Sequence, residues 1–403
     1  MSDWPILQVS ELAVQRGLIG GPFGSSLVSR DYVANGTPVI RGTNMPASQS
    51  LIGGPFVFVS EEKAKSLARN QAVPGDVVFT QRGTLGQVGL VPAGSYDSYV
   101  VSQSQMRLRV DAQIATPEYV YWVFRSPHIV AHVRGLNTAT ANPHINLGIL
   151  ANIEIPVPPI PEQRRIVAVM SAVDAHIEAL SEESNRLDAT RVVQLEAVLD
   201  RAGPGSITRL GDLVELVYGR ALRAEDRLLG PVPVFGAAGT AGMHTEANSG
   251  VTMPIIVGRK GADARTFRSP VRDEDSSSRG WGGAGSVRWC TEPHWVIDTA
   301  YAVLNKTGMD DRALYWLLVA ADLPRVATKT TLPGLSRGPA YGIEVFLPGA
   351  PDWFEPMEAG SAHQRAMAAE LAALQTVRAD LLSALLSQEI AVDAAVDMFV
   401  KAA

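Results

Sequence analysis

A chain of 403 residues, 46% apolar and 19% charged, has enough apolar material for two separate cores. No apolar run is long enough to span a bilayer, and Asp3 stands where a secretory signal needs basic residues, so a cytoplasmic protein is expected. The net charge of −6 and the single cysteine, Cys290, exclude a uniformly basic nucleic-acid coat, a disulfide scaffold and a cysteine-based zinc cluster; Cys290 is expected to be a lone buried thiol.

The acidity is confined to part of the chain. Lys and Arg balance Asp and Glu over residues 1–160 (11 against 10) and 203–352 (16 against 16), and the deficit falls on 161–202 and 353–403. Any contact with phosphate must therefore use local basic patches on the two near-neutral segments.

In chain order, residues 1–156 alternate short β-rich runs with Gly, Pro and Asn punctuation, as a mixed domain does. Its landmarks are a Gly/Ser turn at 21–26, the strand-turn Val77-Val78-Phe79-Thr80-Gln81-Arg82-Gly83, a helix near 117–132, a polar stretch at 137–144 and a last strand at 153–156. From Pro161 to Arg201, Ile166, Met170, Val173, Ile177, Leu180, Leu187, Leu195 and Val198 recur at three-four spacing, with Ser184 and Arg191 interrupting the stripe. Pro161 and Glu162 mark the start of this rod and Gly203-Pro204-Gly205 its end; at ~1.5 Å per residue it is about 60 Å long. Residues 204–350 form a second mixed segment with a helix near 311–323, and the polar Gly/Ser insertion 273–286 is expected to be a mobile loop. A last rod in 351–403 carries Met367, Leu371, Leu374, Val377, Leu381 and Leu385, and Ser361-Ala362-His363-Gln364 has the form of a capping box at its start.

The second mixed segment repeats the first. Pro38-Val39-Ile40 recurs as Pro233-Val234-Phe235, 77–83 as 255–261, Tyr99-Val100-Val101-Ser102 as Trp295-Val296-Ile297-Asp298, and Tyr121-Trp122-Val123-Phe124 as Tyr315-Trp316-Leu317-Leu318. Ile153-Glu154-Ile155-Pro156 answers to 343–348 and Gln163-Arg164 to Gln364-Arg365, all in preserved order. The expected fold is α+β: two similar mixed α/β domains (1–156 and 204–350) separated by two long, antiparallel, coiled-coil-like helices (157–203 and 351–403), with pseudo-two-fold symmetry. Two readers held apart by such rods can face matching grooves of B-DNA when their spacing is near ~35 Å, so the rods would act as a ruler.

The junction Ile153-Glu154-Ile155-Pro156-Val157-Pro158-Pro159-Ile160-Pro161-Glu162-Gln163-Arg164-Arg165-Ile166, running into a long helix, resembles that of type I restriction-modification specificity subunits. Pro74-Gly75-Asp76 through Gly86 and Gly21-Pro22-Phe23-Gly24-Ser25 also resemble segments of that family's target-recognition domains. In the second half, Gly360-Ser361-Ala362-His363-Gln364-Arg365 stands where a Pro-Glu-Gln-Arg junction belongs. The resemblance implies two target-recognition domains, each reading one half of a bipartite double-stranded DNA site, and two spacer helices that dock methyltransferase subunits, two of them expected, together with a restriction/translocase subunit. Arg82-Gly83-Thr84 lies in a Gly-punctuated turn, where an Arg can reach a guanine edge or backbone can approach a phosphate. Candidate DNA-binding residues are Phe23, Ser25, Arg41, Arg82, Thr84, Asn137, Thr138, Asn142, His144, Arg220, Arg259, Lys260, Lys329, Thr330 and Arg337. Candidate spacer or partner-docking residues are Gln163, Arg164, Ile177, Leu180, Leu187, Gln364, Leu374 and Leu381.

No catalytic site is expected. The only double proline, Pro158-Pro159, has apolar flanks that cannot orient a target base, no phosphate-binding loop is present, and His128 and His132 have zinc-pair spacing without the adjoining Glu. No cofactor is expected in this chain; S-adenosylmethionine, ATP and magnesium are expected in partner subunits. Three alternatives stay open: targeting of a methylation-only or other phage-defence complex, an enzyme that modifies or cuts DNA by itself, and a helical scaffold that binds only proteins.

Overall fold

The computed structural model describes residues 4–45, 51–94, 96–136, 143–250, 252–261 and 282–399. It divides into two units: Met1–Glu178 with Ala373–Ala403, and Ala179–Ala372.

In unit 1 a four-stranded antiparallel sheet has the order Ala13–Gly20, Gln105–Val110, Val77–Thr80, Val88–Leu90. Val77–Thr80 is buried along its whole length, because the helix Pro117–Arg125 lies against it and brings the Phe124 ring to 4.6 Å from that of Phe79. A second sheet carries Thr37–Ile40 parallel to Tyr99–Val101, and a two-stranded ribbon pairs Ile6–Gln8 with Glu154–Pro156. The sequence suggests one helix near 117–132, but the chain breaks at Ser126-Pro127. Proline has no N–H and holds Ser126 extended, so Ser126 ends Pro117–Arg125 and caps Pro127–Gly135.

Unit 2 repeats this plan: Val214–Tyr218, Ala300–Asn305, Ile255–Gly258 and Val287–Trp289 form the four-stranded sheet, and Val232–Gly236 runs parallel to Trp295–Val296. The same backbone bonds recur. Gln81 and Arg82 donate their N–H groups to the Ser104 carbonyl in unit 1, as Arg259 and Lys260 do to that of Thr299 in unit 2. Ile145 donates to Gln81 and Leu335 to Arg259, so the match of 77–83 with 255–261 holds residue for residue. The match at 99–102 is shifted by one. Val39 faces Val100 and Val234 faces Trp295, so Tyr99 corresponds to His294 rather than to Trp295.

Of the insertion 273–286, residues 273–281 lie outside the described residues, whereas 282–286 are buried and not a loop tip. Gly283 donates to the Ala237 carbonyl and Gly285 to that of Gly258, and a Cβ on Gly258 would stand 2.0 Å from the Gly283 carbonyl oxygen. These glycines serve close backbone crossing rather than mobility.

The first long helix is Ile160–Arg201, 42 residues with Pro161 in its first turn. Ile166, Met170, Val173 and Ile177 are buried in unit 1, and Leu195 joins the core of unit 2. The second long helix is Glu355–Leu386, which corrects the capping-box start at Ser361. Ser361 is fully buried inside the helix and accepts a hydrogen bond from Arg191 Nη2 at 2.6 Å; Pro356 is the second residue of this helix, as Pro161 is of the first. Within unit 2 the helices run antiparallel, because Asp188 meets Gln364 while Arg191, one turn on, meets Ser361, one turn back. In unit 1, Arg378 Nη1 pairs with Asp174 Oδ1 at 2.7 Å, and Leu381, Leu382 and Leu385 are buried. Val377 departs from its expected place in the stripe: it is 42% exposed, and its neighbour Arg378 makes the pairing with the first helix.

Candidate nucleic-acid interface

In unit 1 the strand ends at Gly20 and Thr80 meet the turn 21–26 and the start of the helix Leu147–Ala151 around an open cleft of about 690 Å³. Its lining includes Phe23, Arg69, Gln81, Arg82, Gln103 and Asn146. Gln103 Nε2 donates to the Gly24 carbonyl at 2.6 Å and fixes the turn, on which Phe23 stands 87% exposed beside an exposed Ser25. The turn needs Gly21, since a Cβ there would stand 1.9 Å from the Ser102 carbonyl oxygen.

Arg82 and Thr84 are exposed on a turn tied back by two interactions: Gly83 donates to the Pro143 carbonyl and Arg82 forms a bridge with His144. Among the described residues no acid pairs with the Arg82 guanidinium. Asn137, Thr138 and Asn142 lie outside the described residues. Arg41 does not line the cleft; it is half-buried at a turn that Asn44 closes by accepting from the Arg41 N–H at 3.0 Å. Arg69, Gln81, Gln103 and Asn146 were not singled out from the sequence. Gln81 had a legible signal, since it aligns with Arg259 in the repeat.

In unit 2 the equivalent edge is cationic. Arg337, first residue of the helix Arg337–Tyr341, lies with its guanidinium 4.0 Å from the Tyr218 ring, and Arg259 lies 5.0 Å from the same ring. Tyr218 is 51% exposed and packs on Tyr301, whose hydroxyl donates to the Leu335 carbonyl. Burial, and then the neighbouring Tyr218, pushes the Tyr301 hydroxyl up to about 12. The two guanidinium groups oppose that shift. Lys260 forms a bridge with Gly334, which closes the turn carrying Lys329, and both lysines are exposed. Arg220 is exposed two residues beyond Tyr218. Thr330 is spent locally, its hydroxyl donating to the Leu332 carbonyl at 2.8 Å.

The spacer candidates divide by environment. Gln163 is fully buried: its amide accepts from the Thr116 N–H at 2.8 Å and donates to the Ile114 and Pro158 carbonyls, so it seats the first long helix inside unit 1 and is not offered to a partner. Its counterpart is Glu358, fourth residue of the second long helix, and not Gln364. Glu358 receives a two-pronged contact from Arg312 at 2.8 and 2.6 Å and a hydrogen bond from the Trp316 indole at 2.5 Å. Among the described residues the Gln364 amide reaches Asp188, at 3.0 Å. Ile177 and Leu381 are buried, Leu180, Leu187 and Leu374 half-buried, and Arg164 is exposed.

His294, fully buried beneath Phe235, lies with Nδ1 2.7 Å from the Glu292 carbonyl oxygen. Burial foremost, with Arg288 nearby, lowers its pKa. The folded ring stays neutral while the unfolded chain binds a proton below about pH 6.5, so the contribution to stability is whole above that pH and is lost as pH falls toward the folded value. The melting midpoint of unit 2 should therefore drop between about pH 7.5 and about pH 5.5, and His294→Phe should flatten that slope. A slope identical in the two proteins would remove His294 as its cause.

Residues 31–189 match the model of the type I restriction modification DNA specificity domain. The chain is 20% identical over 193 residues to the type I restriction enzyme MjaIX specificity subunit of Methanocaldococcus jannaschii, a stretch that covers 46% of this chain and 41% of the relative. Among solved structures it is similar to the S subunit of a type I restriction-modification system from M. genitalium, with 18% identity, coverage of 95% and 96% and a TM-score of 0.51. A chain from a structure concerning assembly and conformational transition of the type I R-M system aligns at 17% identity, with coverage of 96% and 98% and a TM-score of 0.59. Both structural likenesses speak to the fold.

Proposed function

We propose that this chain, whose residues 31–189 match the model of the type I restriction modification DNA specificity domain and whose fold is similar to that of an S subunit of such a system, is the DNA-reading specificity subunit of a type I complex. Each unit reads one half of a bipartite duplex site. Methyltransferase subunits, two of them, dock on the long helices and modify adenine, and a restriction/translocase subunit joins the same complex. S-adenosylmethionine, ATP and magnesium are held by those partners.

The observation that carries the proposal is the duplicated edge. Arg82 and Lys260 occupy the same bonded turn in two copies, and each presents a cation without an acidic partner among the described residues. Cations of this kind are suited to phosphate or to base edges, and turns fastened to a sheet hold their register on a duplex.

The test uses the chain assembled with its modification partner and a library of duplexes. Wild type should select a bipartite motif, and Arg82→Ala should relax selection about tenfold or more at one half while the other half stays intact. Equal weakening at both halves would refute separate readers, and methyl transfer or cleavage by the purified chain alone would refute a non-catalytic role.

A further inference from the structure

The two edges are built alike but furnished differently, and the difference has a chemical direction. Gly20 faces Met106 where Tyr218 faces Tyr301, and Phe79 and Val257 flank those partners. Gly20, Gln81 and Leu147 of unit 1 thus correspond to Tyr218, Arg259 and Arg337 of unit 2. Leu147 and Arg337 are matched because each opens the short helix that follows the bonded residue Ile145 or Leu335. Unit 2 has gained a tyrosine between two guanidinium groups where unit 1 has a glycine, an amide and an aliphatic side chain.

The arginines of that stack have different freedom. Arg259 donates Nη1 to the Asp298 carbonyl at 2.5 Å, which fixes it as a brace. Arg337 has its Nε buried against the ring without a partner, while its terminal nitrogens have no partner among the described residues. A guanidinium held against an aromatic ring with its terminal pair open is pre-organised for two acceptors side by side. In a DNA groove that pair is O6 and N7 of guanine; adenine offers N7 beside an amino donor, which would oppose one N–H. A phosphate also accepts such a fork, but the exposed Lys260, Lys329 and Arg220 are available to phosphates at this edge, whereas the half-buried Arg337 is held against a ring.

We propose that Arg337, held by Tyr218 and braced by Arg259, is the specificity-determining residue that fixes a guanine in the half-site read by unit 2, and that Leu147, at the corresponding position of unit 1, makes no such contact. The inference rests on the DNA-reading role proposed above. Chemically unlike half-sites follow from it, although the readers are duplicates.

In the assembled complex, selection from a randomised duplex library should return a guanine fixed in the half of the motif that Arg337 reads. Arg337→Lys keeps the charge and removes the fork, so preference for that guanine should fall about ten- to a hundredfold with the other half unchanged. Tyr218→Phe should keep the preference, because the ring remains, and Tyr218→Ala should weaken it. Wild-type guanine preference in Arg337→Lys, or an equal loss of affinity for all sequences, would overturn the assignment and leave the DNA-reading role standing. So would a motif with no fixed G·C pair. If wild type selects no sequence at all, both proposals fall.

Discussion

Replacing Asp76 with alanine is expected to cost unit 1 about 3–5 kcal/mol, as loss of one partner from a buried ion pair does. The carboxylate side chain is 2% exposed and is used fully: Arg109 grips it through Nε and Nη2 at 2.8 Å each, the Val73 N–H donates to it at 2.8 Å, and Arg107 stands 3.8 Å away. Arg107 decides the size of the effect. Its side chain is only 6% exposed and burial already lowers its pKa, so without Asp76 it becomes a buried cation with no opposite charge. Arg109, 40% exposed, can turn to water once the acid is gone, so it adds little to that cost. Hydrogen exchange along Val77–Thr80 and Gln105–Val110 would isolate unit 1 from unit 2; protection in Asp76→Ala equal to wild type would refute the account. The same pair of strands explains why Pro74-Gly75-Asp76 was a legible motif: Gly75, at φ 86°, turns the chain so that Asp76 meets two arginines of the neighbouring strand.

Glu358→Ala should destabilise unit 2 by about 2–4 kcal/mol, somewhat less because the Glu358 side chain is 26% exposed. It removes at one stroke the acceptor of the Arg312 fork and of the Trp316 indole, and Trp316 is fully buried. Arg312 would remain 4.4 Å from the Trp289 ring, among aromatic groups that compensate its charge only in part. Gln364→Ala is the sharp comparison, because sequence matching assigns Gln364 the role that the fold gives to Glu358. It should cost about 1 kcal/mol or less, for one hydrogen bond at the helix surface. Thermal melts of the two variants would rank them, and a larger loss in Gln364→Ala would overturn the assignment of Glu358 as the helix seat.

Much of the architecture was legible along the chain. The two copies, the strand-turn 77–83 with its partner at 255–261, the proline-led start of the first long helix and the pairing of the two rods all rest on signals that are local: apolar periodicity, turn residues and a proline at a helix start. The polar edge was legible only as a set of candidates, because a sequence names a cation without saying whether an acid stands beside it.

Sequence alone thus determined that one mixed unit occurs twice and that each copy ends in a long apolar-striped helix, because hydrophobic period and turn chemistry are written within a few residues of one another. Tertiary structure decided the rest. The one-residue shift from Tyr99 to His294 follows from parallel strand pairing, the true start of the second helix from where Glu358 finds Arg312 and Trp316, and the Arg337–Tyr218–Arg259 stack from three segments that only the sheet brings together. Contacts between residues distant in sequence depend on register and crossing geometry, and no local pattern encodes these.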